Sequence, residues 1–185
     1  MSTDTNTETS GDVSDIDFGA DANVGGNQYP FLSPGPEGGA GCNYVLELVE
    51  SRYWRQPSKS ANKKAKGPER FAFVVRVQKS DGEGATAEGA LCTLLFCQDE
   101  YGYYMRDTKN TVKGFTGEEF SPKTANELFV KEHKDFGKHV GALTACQVTR
   151  NVKNPKFSVY VFEGPIQPDN DASNASGDDS EISLA

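Results

Sequence analysis

The stretch "RFAFVVRVQ", residues 70–78, constrains the fold more than any other. Phe71, Phe73, Val75 and Val77 fall on one side of an extended chain, and Arg70, Ala72, Val74, Arg76 and Gln78 on the other. A period of two is the mark of a strand with one buried face. Four more segments read as strands. "NYVLELVESRYW" (43–54) sets Tyr44, Leu46 and Leu48 against Val45 and Val49, with Glu47 as a polar interruption. "ALCTLLFCQ" (90–98) is apolar on both sides and belongs in the middle of a sheet; the Gly-rich turn 79–89 precedes it. "HVGALTACQVTRN" (139–151) and "KFSVYVFEG" (156–164) are joined by the basic turn 152–156. Between strands three and four, "SPKTANELFVKEHKDFG" (121–137) carries Ser121 to accept the first free amides, Pro122 without an amide to lose, and Gly137 for a left-handed stop. A helix over 121–137 follows, with Ala125, Leu128, Phe129, Glu132 and Phe136 as its inner stripe. Residues 99–115, aromatic and basic with Gly102 and Gly114, fit either a loop holding a short strand or a helical turn and are assigned to neither.

Charge divides the chain into three. Residues 1–40 hold seven acidic side chains and no Lys or Arg, and residues 163–185 hold six and again none. With a net charge of -8 overall, residues 41–162 are left at +5 and contain all 19 Lys and Arg. Segments so polar and so one-signed cannot bury a core. The expected organisation is a disordered acidic arm (1–28), one domain (29–165) and a disordered acidic tail (166–185). Nothing resembles a signal peptide or a membrane span, so a soluble cytoplasmic protein is expected. Cys42, Cys92, Cys97 and Cys146 form no zinc-type pair, and His133 and His139 have no ligand at metal spacing, so no metal and no cofactor is expected. No nucleophile, base and orienting group are spaced for catalysis, and the expectation is a non-enzyme.

The fold class is therefore mainly β (α+β). Strand, strand, strand, helix, strand, strand is the layout of the OB fold, a five-stranded barrel with one helix between strands three and four, here flanked by the acidic arms. In that barrel strands two and three, with the loops between strands one and two and between four and five, face oligonucleotides. Both loops are basic: Lys59, Lys63, Lys64 and Lys66 in the first, Arg150, Lys153 and Lys156 around the second. Arg52, Arg55, Arg70, Arg76 and Arg106 add positive charge nearby. Single strands need such charge for phosphates and flat rings for bases. Tyr53, Trp54, Tyr101, Tyr103, Tyr104 and Tyr160 are the candidate rings. Trp54 continues the even-numbered face of Leu46 and Leu48, which makes it either a barrel cap or a stacking platform; Tyr53 then faces the other way, so at most one of the two is core.

The run from "NYVLELVESRYW" through "FAFVVRVQKSDG", "TKNTVKGF" and "VTRNVKNPKFSVYVFEGP" resembles the OB-fold single-stranded DNA-binding proteins of phages and some bacterial elements, over roughly residues 29–165. The resemblance implies a sequence-tolerant coat for single strands in replication, recombination or repair. It also implies an acidic tail that recruits replication or recombination proteins and competes with DNA. "DNDASNASGDDSEISLA" looks like that tail, with Asp178, Asp179, Glu181, Ile182 and Leu184 as the partner-binding candidates; its tip lacks the proline and phenylalanine of the bacterial pattern. Homo-oligomerisation is compatible with this reading. The alternative is a protein-interaction or virion barrel whose acidic arms carry the function.

Overall fold

A computed structural model of the chain describes residues 29–61 and 65–167. The expectations for the arm 1–28, for most of the tail with Asp178, Asp179, Glu181, Ile182 and Leu184, and for Lys63 and Lys64 lie outside the described residues. The elements are β1 (Cys42–Arg55), β2 (Glu69–Asp81), β3 (Leu91–Cys97), α1 (Tyr103–Thr116), α2 (Pro122–Phe129), β4 (Leu143–Arg150) and β5 (Ser158–Ile166). The fold is mainly β: one antiparallel five-stranded sheet in the order β3-β2-β1-β4-β5, with two helices. All five expected strands are present, but β3, expected in the middle of the sheet, is an edge strand, and the segment before β1 lies along its free side, Pro30 accepting the Thr93 amide. β1 is shared, pairing with β2 along its length and with β4 over Cys42–Glu47. No hydrogen-bonded ladder joins the edge strands β3 and β5, but Phe96 of β3 meets Tyr160 of β5 edge to face, ring centroids 6.0 Å apart. The sheet thus curls around a core of Leu46, Leu48, Phe71, Phe73, Val75, Leu94 and Phe96, to which the helices add Val112, Phe115, Leu128 and Phe129.

The single helix expected over 121–137 is corrected to two helices. α1 falls in the segment left unassigned. Its inner face is Thr108, Thr111, Val112 and Phe115, a helical spacing in which the first two positions are polar by name. The threonine hydroxyls donate to carbonyls one turn back, Thr108 to Tyr104 and Thr111 to Asp107, both at 2.8 Å, so they are buried with their hydrogen bonds made. Gly114 lets α1 lie directly on β5: a Cβ there would stand 2.8 Å from Phe162. α2 starts as expected, Ser121 and Thr124 capping each other behind Pro122, but it ends at Phe129. Beyond it the chain turns back over the helix instead of extending it, because Glu127 is buried and draws its partners from that stretch: His139 Nε2 lies 2.7 Å and Lys138 Nζ 3.1 Å from its carboxylate. Gly137 does take a left-handed backbone (φ 79°), but inside this wrap, where its amide donates to the Glu127 carbonyl. Glu132 and Phe136, expected on the inner stripe, are exposed. Residues 139–142 belong to the same wrap, so β4 begins at Leu143.

A second correction concerns β1. Its pairing with β2 skips Val49, the register passing from Leu48 opposite Val75 to Glu50 opposite Val74. The bulge adds one residue and exchanges the two faces downstream. The inner side therefore runs Leu46, Leu48, then Ser51 and Tyr53. Tyr53 packs on Phe71 at 4.9 Å, and Trp54 stands on the outer side, not on the face of Leu46 and Leu48.

Candidate nucleic-acid interface

With the inner residues assigned, the registers lay out the outer face of β1, β2 and β3 as a grid. Its rows are Trp54–Arg70–Cys97, Arg52–Ala72–Leu95, Glu50–Val74–Thr93 and Glu47–Arg76–Leu91. Ala72, Val74 and Thr93 are at most 4% exposed although they point away from the core, so they form a recessed floor between larger side chains. Trp54 and Arg70 border that floor at the end where the basic loop 56–68 leaves β1.

The base of this loop is pinned. Gln56 donates to the Pro68 carbonyl and Arg55 to the Gly67 carbonyl; a Cβ on Gly67 would stand 1.6 Å from the Gln56 oxygen, so only glycine fits. Glu69 joins three elements at the same place. Its carboxylate accepts from Tyr53 (3.0 Å), from Arg55 (2.6 Å) and from Tyr104 of α1 (2.8 Å). Burial, together with the Glu69 charge, raises the Tyr53 phenol and pushes that of Tyr104 up to about 12, so both remain donors at neutral pH. At the start of α1, Asp99 accepts amide hydrogens from Tyr101, Tyr103 and Tyr104. Burial alone would raise its carboxyl, but these bonds outweigh it and hold it below the ordinary value. Tyr101 and Tyr103 project into solvent with rings 5.7 Å apart, 71% and 56% exposed, and the Arg106 guanidinium lies 5.1 Å above the Tyr103 ring.

The candidate residues thus separate into groups. Tyr53, Tyr104 and Tyr160 pack their rings against the core, Tyr101 and Tyr103 are exposed, and Trp54 is half-buried on the outer face. Arg52, Arg55, Arg76 and Arg106 are paired with Glu50, Glu69, Glu47 and Asp107. The bond to Glu50 and the nearby Tyr29 phenol raise Arg52 further. Among the described residues Arg70 and Arg150 bond to neutral acceptors, Arg70 to the Gln56 amide and Arg150 to the Gly35 and Pro155 carbonyls, with no carboxylate paired to either. Lys59, Lys66, Lys153 and Lys156 are exposed. The two basic loops lie beyond opposite ends of β1: one follows Arg55, the other lies past Val148, the partner of Cys42.

Sequence reasoning missed the carboxylates that pair the arginines and two exposed rings, Phe31 (53%) and Phe157 (63%). Glu47, Glu50 and Glu69 each lie in the strand of an arginine or opposite one, which the register shows and the linear order hides. Among the described residues no group of His, Cys, Asp and Glu is arranged to hold a metal ion, and no helix is long and apolar enough to cross a membrane. Cys42, Cys92 and Cys146 are buried free thiols, and burial raises those of Cys92 and, to about 12, Cys146. Comparison with protein-family models, curated proteins and solved structures finds no match.

Proposed function

We propose that the chain is a sequence-tolerant single-stranded DNA-binding protein acting in replication, recombination or repair, built on an OB-type barrel. The observation that carries the proposal is Trp54 standing cross-strand from Arg70, which pairs with no carboxylate among the described residues, at the edge of the recessed floor of Ala72, Val74 and Thr93. The strand order, with β1 shared between β2 and β4 and helices inserted after β3, supports the barrel assignment. A base stacks on Trp54, and further bases on the Tyr101 and Tyr103 pair past the end of β3. Arg70, Lys59 and Lys66 neutralise phosphates along the way, with Lys63 and Lys64 in the same loop, and Lys153 and Lys156 serve a longer strand at the far end. Paired bases have no free ring face to offer Trp54, which gives single strands the advantage.

Four or five phosphate contacts predict that log affinity falls against log salt with a slope of roughly -3, about 0.7 per contact. Labelled dT oligomers and duplex are compared by gel shift and, across salt, by fluorescence anisotropy. Equal binding to both, or a flat salt dependence, refutes the proposal. The apolar surface of Val152 (96% exposed), Phe157 and Val161 (52%) on and before β5 favours, as a second reading, a barrel that binds a protein partner through that edge.

A further inference from the structure

Residues 29–35 are fastened to the barrel. Leu32 is buried in the core, Pro30 accepts the Thr93 amide at 2.9 Å, and Ser33 accepts the Tyr44 hydroxyl at 2.7 Å through its carbonyl. The Arg150 guanidinium holds the Gly35 carbonyl. Thr93 belongs to the third row of the outer face, so the chain N-terminal to Pro30 departs from the free edge of β3, beside that face. Tyr29, the first described residue, lies near enough to Arg52 in the second row to act on its charge. The C-terminal arm leaves after Ile166 of β5, and in the sheet order β4 and β1 stand between β5 and β2.

What departs at Tyr29 is complementary to what lies beside it. Residues 1–28 carry Asp4, Glu8, Asp12, Asp15, Asp17 and Asp21 and no basic residue. "DVSDIDFGAD" (12–21) sets four of these carboxylates around one ring, Phe18, a pairing of negative charge and flat surface like that of a single strand. The eight residues Asp21–Gln28 span up to about 28 Å when extended. The face from Arg70 to Arg76 is about 20 Å long at a strand's rise per residue. Every row is therefore within reach.

We infer that residues 12–21 dock on the outer face of β1, β2 and β3 as a built-in competitor, Phe18 against Trp54 and the floor of Ala72 and Val74, the aspartates toward Arg70, Lys59 and Lys66. The competition with DNA rests on the function proposed above; the docking does not. A tethered segment meets its site at an effective concentration on the order of millimolar, so a contact too weak to persist between separate molecules is occupied within one chain.

Trp54 is the sole tryptophan and reports on the face without DNA. The experiment compares the full chain, a chain lacking residues 1–21 and the full chain with Phe18→Ala. The truncation keeps Tyr29–Gly35, and circular dichroism checks that the fold is retained. Acrylamide quenching of Trp54 should rise about twofold on truncation, rise in part with Phe18→Ala, and fall again when a peptide of residues 8–24 is added at millimolar concentration. Affinity for dT oligomers should rise about 5- to 10-fold on truncation at low salt, and the gain should shrink at high salt. Equal quenching in all three chains, unchanged by the peptide, overturns the inference whatever DNA does. Arm-dependent quenching without dT binding by any chain upholds the docking and overturns the DNA-binding proposal instead.

Discussion

Tyr53 and Trp54 are neighbours in sequence, and the bulge at Val49 gives them opposite tasks, which separate substitutions can measure. Tyr53 is packed on Phe71 at 4.9 Å and donates to Glu69, so Tyr53→Ala removes ring contact and a bond to a charged acceptor. A buried aromatic cut to alanine costs about 3 to 5 kcal/mol. Tyr53 is only half-buried, and Glu69 keeps Arg55 and Tyr104, so about 3 kcal/mol is expected in all. Tyr53→Phe isolates the hydroxyl at about 1 kcal/mol. Trp54→Ala removes a half-buried ring on the outer face that makes no ring stack among the described residues, so its stability cost should stay below that of Tyr53→Ala, at about 1 to 2 kcal/mol. Its cost appears in binding, as a loss of about 1 to 3 kcal/mol for dT oligomers. Urea unfolding followed by far-ultraviolet circular dichroism ranks the variants, and anisotropy gives the binding. If Trp54→Ala unfolds the domain more readily than Tyr53→Ala, the faces are not exchanged at Val49 and the outer grid is wrong.

The contrast between arginines with and without a carboxylate partner among the described residues gives a second test: Arg70→Ala should flatten the salt slope for dT binding by about 0.7, while Arg76→Ala, whose charge already meets Glu47, should change it by less. His139→Ala should destabilise by about 1 to 3 kcal/mol at neutral pH, because Glu127 stays buried with Lys138 alone. Burial by itself would raise the Glu127 carboxyl, but the bonds and charges of His139 and Lys138 prevail and hold it below its ordinary 4.5. A depressed carboxyl contributes stability above its unfolded value and loses it as pH falls through the folded one, so the penalty of His139→Ala should fade below about pH 4.5 in urea melts across pH. Gly114→Ala places a Cβ 2.8 Å from Phe162 and should lower the melting midpoint, the overpacking cost of about 1 to 3 kcal/mol exceeding the helix-propensity gain of about 1. An unchanged or raised midpoint would show that α1 shifts freely on β5.

Alternation marked strands such as 70–78 from the chain alone, because a strand with one wet face must alternate; the continuous apolar run 90–98 marked β3 as a strand but not its place, which is at the sheet edge. The sequence by itself also determined where α2 begins, since Ser121, Pro122 and Thr124 act within one turn. The charge division into a basic domain and acidic arms is likewise a property of the chain alone. What alternation cannot carry is a change of phase. One unpaired residue at Val49 decides whether Tyr53 or Trp54 enters the core, and it is unpaired only because β2 runs alongside in a register that skips it. α1 was hidden for a related reason: Thr108 and Thr111 are polar in isolation and become core residues once the helix supplies acceptors for their hydroxyls. The end of α2 was set from a distance too, by a buried Glu127 whose partners come from the stretch expected to prolong the helix. The candidate face depends most on tertiary structure, because the pairing of Arg52, Arg55 and Arg76 with carboxylates, and of Arg70 with the neutral Gln56 amide, follows from which side chains the bulged register sets side by side, and charge acts through space regardless of order along the chain.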